Sequence, residues 1–409
     1  MDYSVRNIYG KTNNKPVEVE VPGSKSVTAR AMLIAAVAQG ESVLHGAQFS
    51  NDCLTFINCL HALGIECSVD GGTGDIHIKG CGGKLDRKEA RVYVGNAGTA
   101  ARFIPAFLAF QEGKYEVCCA EQMSKRPIKP LLDALQQIGA KITYLEGEGK
   151  YPFVIEGTRN PAPDVEVDIE ESSQFLSGLL IASVCVPEAL SVICKGVHGL
   201  EYVRMTVEML RSFNADIVQS GNTYTVFGEC HGRDYGIEPD MSAAAYFYAA
   251  NKILGTSIRV KGADTAVLQG DSKFIKLLPG FNGGTIDMSG FSDQALTLAA
   301  IAPYLSKPTR ITGVQHIRRQ ECDRIHAICD NLYFMGIQKE EYMDGVKIWP
   351  GQPRPAEIEP FGDHRVAMAF AITGLRADGI TVHNAEVCSK TFKDYFTVLD
   401  DLCGKLTAK

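Results

Sequence analysis

The sequence lacks the features that mark several large classes of protein. No run of about eighteen apolar residues suggests a membrane-spanning helix, and the polar segment 1–15 has no apolar core of a signal peptide. No basic tract with interleaved aromatic residues occurs, and the net charge of −7 argues against a nucleic-acid-binding surface. These absences predict a cytoplasmic protein with neither a membrane nor a nucleic-acid partner.

Cysteine is plentiful, but its spacing does not suggest disulfides or a metal site. The thirteen cysteines are an odd number, no pair has the Cys-x-x-Cys spacing, and several stand in apolar runs such as Val184-Cys185-Val186. Such cysteines behave as small apolar residues in a reducing compartment. We therefore predict reduced thiols that lie mostly in the core.

Several catalytic signatures are absent as well. The sequence has no His-Glu-x-x-His, EF-hand or Gly-x-Ser-x-Gly pattern. The segment Gly147–Lys150 is followed by Tyr151, whereas a Walker P-loop requires Ser or Thr at that place. Metal-dependent and nucleophilic-serine chemistry are therefore not predicted, and we expect no metal and no cofactor.

The length and composition predict a globular protein of two domains. At 409 residues the chain exceeds what one hydrophobic core usually organises. Apolar residues make up 45% and charged residues 22%, which is typical of a folded soluble chain. The turn-rich stretch Gly228–Pro239 is the most favourable place for a join between domains.

A repeated pattern runs along the chain. Six segments each combine an apolar helix, a turn marked by Gly, Pro or Lys, and a short strand, and a second, amphipathic helix lies between successive segments. Their starts lie about seventy residues apart, with a shorter interval between the fourth and the fifth. The six segments are Ser26–His45, Thr99–Cys119, Ser172–Ile193, Met241–Val260, Ser292–Thr312 and His364–Val382. This period predicts an α/β (α+β) protein with six βαβαββ-like units, three in each domain.

Polar and charged residues gather where the helices of this pattern begin. A helix N-terminus attracts anions because its first N–H groups lack partners and the helix dipole is positive there. The openings are Lys25–Arg30, Gly95–Thr99, Arg126-Pro127, Ser172–Gln174, Asp293, Glu321–Arg324, Asp363–Arg365 and Lys390. Their recurrence predicts a ligand, or a pair of ligands, with several negative charges.

Each opening taken singly also fits a purely structural interpretation. A capped helix start needs the same Ser, Asn or Asp residues. Glu321 and Arg324 are three residues apart and would form an ordinary helix-surface ion pair. Asp363 and His364 would equally suit a capped helix with a hydrogen-bonded histidine.

Together, these motifs resemble the 5-enolpyruvylshikimate-3-phosphate synthase family of enolpyruvyl transferases, in the family's order along nearly the whole chain. The matching segments are Pro22–Ser26, Gly95–Thr99, Arg126-Pro127, Ser172–Leu176, Asp293, Glu321–Arg324, Asp363–Arg365 and Lys390–Tyr395. The resemblance implies the two-domain enolpyruvyl transferase fold, with three βαβαββ units per domain and the active site in the interdomain cleft. It places residues 23–236 in the first domain and residues 1–22 plus 237–409 in the second, with two crossovers that act as a hinge.

The resemblance also implies an activity. Members transfer the enolpyruvyl group of phosphoenolpyruvate to the 5-hydroxyl of shikimate 3-phosphate and release phosphate, a step in the biosynthesis of chorismate and the aromatic amino acids. The expected partners are these two small molecules. We expect a monomer that closes over its substrates.

Roles for individual residues follow from the resemblance by position. Asp293, Glu321 and Lys25 are the expected catalytic residues, with Asp293 at the 5-hydroxyl and Glu321 at the methylene carbon. Phosphoenolpyruvate is expected to contact Lys25, Gly98, Arg126, Gln174, Arg324, Arg365 and Lys390. Shikimate 3-phosphate is expected to contact Lys25, Ser26, Arg30, Ser172, Ser173, Gln174, Asp293, His316 and Gln320.

The chain departs from the family's pattern at four of its positions. Gln320 stands where Lys is usual, Gly199 where Ser is usual, and His316 and Ala29 where Asn is usual. The first two departures remove expected support for the phosphate and hydroxyls of the acceptor, a loss of roughly tenfold to a hundredfold in affinity if uncompensated. Candidate replacements close in sequence are Arg204, Arg318 and Arg319.

Three other functions stay open at this point. A UDP-N-acetylglucosamine enolpyruvyl transferase needs a Cys in the loop before the Arg-Pro turn, and Glu121–Lys125 contains none. A carboxyvinyl transferase that acts on another hydroxylated acid is the second, because Gln320 and Gly199 depart from the pattern expected for shikimate 3-phosphate. A non-catalytic anion-binding relative would not need Asp293 and Glu321 together.

Overall fold

The computed structural model of the chain describes residues 1–13 and 15–408. The chain divides into two compact units. The continuous unit consists of Gly23–Ile237, and the split unit consists of Met1–Pro22 together with Glu238–Lys409. Among the described residues, no helix combines the length and the apolar character that crossing a bilayer requires.

The α-helices of the described residues are mostly seven to fourteen residues long. In chain order they are α1 Lys25–Val37, α2 Asn51–Ala62, α3 Gly98–Leu108, α4 Glu121–Ser124, α5 Lys129–Gln137, α6 Gln174–Ser183, α7 Leu200–Ser212, α8 Met241–Leu254, α9 Asp271–Leu277, α10 Ala295–Ile301, α11 Arg324–Phe334, α12 His364–Gly374 and α13 Tyr395–Thr407.

The strands are short, which fits a fold of many small sheets. In chain order they are β1 Tyr3–Ser4, β2 Val17–Val19, β3 Glu41–His45, β4 Cys67–Val69, β5 Ile76–Lys79, β6 Glu89–Tyr93, β7 Lys114–Cys118, β8 Lys141–Tyr144, β9 Phe153–Glu156, β10 Asp164–Asp168, β11 Leu190–Lys195, β12 Asp216–Ser220, β13 Thr223–Phe227, β14 Asp234–Gly236, β15 Ile258–Val260, β16 Gly284–Asp287, β17 Thr309–Thr312, β18 Lys339–Tyr342, β19 Gly345–Ile348, β20 Ala356–Ile358 and β21 Ile380–Val382.

The continuous unit contains three four-stranded sheets of the same design. Their strand orders are β14-β3-β5-β4, β6-β7-β9-β8 and β10-β11-β13-β12. In each sheet the first pair is parallel and the next two pairs are antiparallel. This shared order is what a βαβαββ unit produces, since parallel neighbours need a crossover helix and antiparallel neighbours need only a turn.

The apolar helices predicted from the repeat form the centre of the continuous unit. Helices α1, α3 and α6 contact one another. Every residue of α1 from Val27 to Val37 is buried, and so is every residue of α6 from Phe175 to Ser183. A helix that is apolar on all sides is stable only inside a protein, so these helices must lie within the core and only their ends can reach solvent.

The split unit follows the same plan less completely. Its sheets have the orders β16-β17-β19-β18, β1-β21-β20 and β15-β2. Helices α8, α10 and α12 contact one another as the three apolar helices of the continuous unit do. The N-terminal strand β2 pairs in parallel with β15, from Val17 opposite Ile258 to Val19 opposite Val260.

Two of the six predicted units differ from the others in one respect. In the described residues, no hairpin pair of strands follows β15 or β21. After β15 the chain enters a 3-10 helix, Ala263–Thr265, and then α9, and after β21 it enters a 3-10 helix, Ala385–Lys390, and then α13. The missing hairpin explains why the interval after the fourth apolar helix is the shortest.

The prediction about cysteine is confirmed. All thirteen cysteines are free thiols, eight of them buried and five partly buried. Burial raises the pKa of the Cys230 thiol to about 12, so this thiol stays protonated at neutral pH.

Two glycines show how closely the hairpins pack against the central helices. A Cβ atom on Gly80, after β5, would lie 2.1 Å from the carbonyl oxygen of Ala38. A Cβ atom on Gly157, after β9, would lie 2.3 Å from the carbonyl oxygen of Leu108. The end of each hairpin therefore touches the backbone at the C-terminal end of an apolar helix, and a side chain would separate the two.

We expect the substitution Gly157→Ala to lower the free energy of unfolding by about 1–3 kcal/mol, the usual cost of forcing one extra carbon into a packed site. Chemical denaturation with circular dichroism measures this quantity. The control is Gly71→Ala, because a Cβ atom on Gly71 would meet nothing within 4 Å. Equal stability of the two variants would contradict the close packing.

Candidate active site

The opening of α1 in the continuous unit carries an ion pair that links two helix starts. The side-chain oxygen of Ser24 accepts a hydrogen bond from the backbone N–H of Val27 and so caps α1. Lys25 follows directly, and its Nζ lies 2.7 Å from Oδ2 of Asp52 in the first turn of α2. Asp52 is buried, so this carboxylate holds the ammonium group of Lys25 in place.

Arg30 lies one turn further along α1, and its guanidinium group is enclosed. The residue is 1% exposed. Its Nε donates to the hydroxyl of Thr206 at 2.8 Å, and its terminal nitrogens donate to the carbonyl oxygens of Ser26 and Tyr202 and to the hydroxyl of Ser177. Burial lowers the pKa of Arg30 to about 10, so the group remains charged at neutral pH. These partners are all neutral oxygens, so they do not cancel the positive charge of Arg30.

Gly98 and Arg126 are brought together at the opening of α3. A Cβ atom on Gly98 would lie 3.2 Å from a terminal nitrogen of Arg126, so a glycine lets this guanidinium group approach the backbone. The buried Arg102 fixes the arrangement, because it donates to the carbonyl oxygen of Gly98 at 3.4 Å and to that of Pro127 at 2.8 Å. Burial and the charge of Arg126 lower the pKa of Arg102 to about 10.

The opening of α6 contains three of the predicted residues. The backbone N–H of Gln174 donates to the hydroxyl of Ser172 at 3.3 Å, and Ser173 precedes the helix without capping it through its side chain. A Cβ atom on Gly199 would lie 2.7 Å from Oγ of Ser173, and Gly199 has a φ of 65°. Glycine is favoured at such a φ, and here it also leaves room for the Ser173 hydroxyl.

In the split unit, the centre of the predicted site is Arg324, the first residue of α11. It is 2% exposed. Its Nε donates to Oδ2 of Asp363 at 2.7 Å, and a terminal nitrogen donates to Oδ1 of Asp293 at 2.9 Å and to Oε1 of Gln320. Burial alone would lower the pKa of Arg324, but the two carboxylates outweigh it and raise the pKa above its usual value.

Asp293 lies between two arginines. Its Oδ1 faces Arg324, and its Oδ2 lies 3.0 Å from a terminal nitrogen of Arg365 in the first turn of α12. The residue belongs to a 3-10 helix, Ser289–Gln294, that leads into α10, rather than to α10 itself as the sequence suggests. Asp363 caps α12 by accepting from the backbone N–H of Arg365 at 2.8 Å.

Glu321 joins a histidine to a lysine. Its Oε2 lies 3.0 Å from Nδ1 of His364, and its Oε1 lies 2.8 Å from Nζ of Lys390. The three residues come from the segment before α11, the start of α12 and the 3-10 helix Ala385–Lys390. A carboxyl group between a lysine and an imidazole can exchange protons with either partner.

The two residues that replace the family's Lys and Asn are bonded to the protein. Gln320 accepts from Arg324, and Nε2 of His316 lies 2.8 Å from the hydroxyl of Ser292. Arg318, a candidate replacement cation, donates to Asp323, Glu341 and the carbonyl oxygens of Tyr342 and Met343. All of its donor nitrogens are therefore engaged by the protein, which argues against its contacting a ligand.

One group of possible metal ligands occurs among the described residues, namely Glu321, Asp363 and His364. The residues around it do not fit a cation, because Lys390 lies 2.8 Å from Glu321 and Arg324 lies 2.7 Å from Asp363. A metal ion would have to displace both positive charges, so we assign no metal to this cluster.

The geometry adds three residues that the sequence analysis did not single out for a role. Asp52 pairs with Lys25, Arg102 supports Gly98 and the Arg126-Pro127 turn, and His364 contacts Glu321. Of these three residues, only His364 belongs to a motif that the sequence analysis recognised, Asp-His-Arg. The contacts of Asp52 with Lys25 and of Arg102 with Pro127 join residues more than twenty positions apart, and no local spacing indicates them.

Comparison with known proteins gives a consistent result over the whole chain. The family model described as EPSP synthase (3-phosphoshikimate 1-carboxyvinyltransferase) matches residues 11–280 and 278–399. A protein of Trichormus variabilis named 3-phosphoshikimate 1-carboxyvinyltransferase is 37% identical, with 96% of this chain and 98% of that protein covered. One of Halalkalibacterium halodurans, named 3-phosphoshikimate 1-carboxyvinyltransferase 2, is 36% identical, with 94% and 91% covered.

Solved structures agree in fold. EPSP synthase from Acinetobacter baumannii has a TM-score of 0.81 at 24% identity, with 98% of both chains covered. The enolpyruvyl transferase NikO from Streptomyces tendae has a TM-score of 0.74 at 17% identity, with 98% of this chain and 96% of that chain covered. At these identities the likeness concerns the fold alone.

We expect the substitution Asp363→Ala to lower the free energy of unfolding by about 3–5 kcal/mol, because it leaves the buried Arg324 with half of its compensating charge. The control is Asp344→Ala, which removes a partly exposed partner of Arg310 and should cost about 1 kcal/mol or less. Denaturant titration at neutral pH measures both. Similar losses for the two variants would show that Arg324 does not depend on Asp363.

Proposed function

The chain belongs to the EPSP synthase family, the 3-phosphoshikimate 1-carboxyvinyltransferases, and from this premise we propose how its residues carry out the family's reaction. The enzyme transfers the enolpyruvyl group of phosphoenolpyruvate to the 5-hydroxyl of shikimate 3-phosphate and releases phosphate. The observation that carries the proposal is the position of Asp293 between Arg324 and Arg365, in a chain that matches the family over both units. We further propose that the enzyme is cytoplasmic and acts as a monomer.

The reaction requires three proton transfers, one at oxygen and two at carbon. In the first step the 5-oxygen bonds to the enol carbon of phosphoenolpyruvate, the hydroxyl proton leaves, and the methylene carbon gains a proton to become a methyl group. In the second step the methyl group loses a proton, the carbon–oxygen bond to phosphate breaks, and the enol ether forms. A base must therefore lie at the hydroxyl, and an acid that later acts as a base must lie at the methylene carbon.

We assign the base to Asp293. In this structure its carboxylate pairs with both Arg324 and Arg365. When the carboxylate and phosphate groups of phosphoenolpyruvate bind these arginines, Asp293 loses part of the positive charge around it, and its affinity for a proton rises. Substrate binding thus prepares the carboxylate to accept the hydroxyl proton.

We assign the proton transfer at the methylene carbon to Glu321. His364 contacts Oε2 of Glu321 and would serve as a proton source. Lys390 contacts Oε1 and places a positive charge there. A carboxyl group in such a position can give a proton to the carbon in the first step and take one back in the second.

The remaining expected ligands are cations and polar groups at helix openings, where anions are favoured. For phosphoenolpyruvate we propose Lys25, Gly98, Arg126, Gln174, Arg324, Arg365 and Lys390. For shikimate 3-phosphate we propose Lys25, Ser26, Arg30, Ser172, Ser173, Gln174, Asp293, His316 and Gln320. Arg30 is the least accessible of these residues, so its contact with a carboxylate would require Ser26 or Tyr202 to release a guanidinium nitrogen.

An assay of phosphate release from phosphoenolpyruvate tests the function. We expect release with shikimate 3-phosphate and little with shikimate or with UDP-N-acetylglucosamine. Faster release with another hydroxylated acid than with shikimate 3-phosphate would instead identify a carboxyvinyl transferase with a different acceptor, and no release with any acceptor would indicate a non-catalytic relative.

The substitution Asp293→Asn tests the assignment of the base. We expect kcat to fall by about 10²- to 10⁴-fold, the usual contribution of a positioned general base, with a smaller change in KM. The matched control is Asp287→Asn, an exposed carboxylate that accepts from the backbone N–H of Ser289, a bond that Asn can keep. If the two variants retain similar kcat values, Asp293 is not the base.

A further inference from the structure

A second carboxyl group lies close to Asp293 and has no part in the mechanism so far. Asp271, the first residue of α9, is 5% exposed. Its Oδ2 accepts from the hydroxyl of Ser242 at 2.9 Å, and its Oδ1 accepts from Nε2 of Gln294 at 3.1 Å. Gln294 directly follows Asp293 in the chain, so one hydrogen bond connects Asp271 to the segment that carries the proposed base.

The position of Asp271 is fixed from the opposite side as well. Gln269, two residues earlier, accepts from the backbone N–H of Met241 at 3.0 Å and donates to the carbonyl oxygen of Pro239 at 2.8 Å. These bonds fasten the turn before α9 to the opening of α8. Asp271 is therefore held between α8 and the 3-10 helix Ser289–Gln294. Its carboxylate cannot turn towards solvent without breaking its hydrogen bonds with Ser242 and Gln294.

Few charges face Asp271 in this position. From α8 it meets the hydroxyl of Ser242, from the 3-10 helix the amide of Gln294 and the negative charge of Asp293, and from α12 the positive charge of Arg365. Burial and the charge of Asp293 raise the pKa of Asp271 to about 6, while Arg365 and the two hydrogen bonds oppose this rise. Asp271 is mainly ionised at pH 7 and mainly protonated at pH 5.

We propose that Asp271 is a positioning residue for the proposed reaction, whose buried negative charge makes Asp293 a stronger base. The inference rests on the role proposed for Asp293. Two neighbouring carboxylates disfavour each other's ionised forms, so an ionised Asp271 increases the affinity of Asp293 for a proton. The hydrogen bond to Gln294 maintains the arrangement, and no proton passes to Asp271 itself.

The pH dependence of kcat tests this inference. As the pH rises through about 6, Asp271 loses its proton, Asp293 becomes more basic, and kcat should rise by about tenfold to a plateau. The variant Asp271→Asn has no such ionisation, so we expect the step to vanish and kcat at pH 7.5 to fall to the level that the unmodified enzyme shows below the step. A residue with a merely structural role would lower kcat without removing the step.

The variant Ser242→Ala provides an independent check with the carboxylate in place. Removing the hydroxyl withdraws a hydrogen bond that stabilises the ionised form, so the pKa of Asp271 should rise and the step should move to higher pH. An unchanged step in Ser242→Ala would overturn the inference, even if Asp271→Asn failed to fold. So would a step that persists in folded Asp271→Asn.

A stability measurement separates this inference from the proposed function. The folded-state pKa of Asp271 lies above its unfolded value, so the unmodified protein should lose stability as the pH rises from about 4 through about 6. Asp271→Asn should lack this loss and should therefore gain stability relative to the unmodified protein between pH 4 and pH 7. If the unmodified enzyme releases no phosphate, the proposed function is wrong. If the stability of the unmodified protein and that of Asp271→Asn change with pH in parallel, Asp271 does not ionise in this pH range and the inference is wrong.

Discussion

The site in the split unit depends on the compensation of one buried charge. A guanidinium group as enclosed as that of Arg324 costs several kcal/mol unless carboxylates surround it in good geometry. Asp363 belongs to the opening of α12 and Asp293 to the 3-10 helix before α10, so both segments must meet at the start of α11 to satisfy Arg324. Arg365 lies in the first turn of α12, and Glu321 lies just before α11. Both are therefore brought close to Arg324 when these segments meet. The geometry of the candidate site is thus a consequence of where the carboxylates that compensate Arg324 lie.

The buried arginines of the continuous unit have neutral hydrogen-bond partners, unlike Arg324. Arg30 and Arg102 donate to hydroxyl oxygens, carbonyl oxygens and a thioether, and among the described residues neither has a carboxylate within hydrogen-bonding distance. Neutral partners accept the hydrogen bonds of the guanidinium nitrogens but do not compensate the positive charge. This unit therefore retains positive charge that the proposed anionic substrates would neutralise, whereas in the split unit Asp293 already pairs with Arg324 and Arg365. On the roles proposed above, the first arrangement would favour the binding of an anion, and the second would couple that binding to the preparation of Asp293 as a base.

The sequence indicated the helices, their openings and the repeated unit, because these depend on local periodicity and on the distribution of polar residues. The short interval after the fourth apolar helix marked the place of the missing hairpin, but it did not indicate that β15 pairs with the distant β2. The sequence did not indicate Asp52 or Asp271 either. Each acts through a contact with a residue more than twenty positions away, and a single carboxylate in a helix start looks the same whether it caps the helix or serves a neighbour.

The departures from the family's pattern are tied to local structure rather than being isolated losses. A serine at position 199 would need a left-handed φ and would crowd the hydroxyl of Ser173, so the glycine allows Ser173 its present place. A lysine at position 320 would bring a second cation against Arg324, where Gln320 now supplies an acceptor. On the binding roles proposed above, an acceptor phosphate would be held mainly by the hydroxyls and N–H groups at the start of α6. Recognition of that kind depends on geometry more than on charge, so it should be less sensitive to ionic strength than a lysine-based site would be.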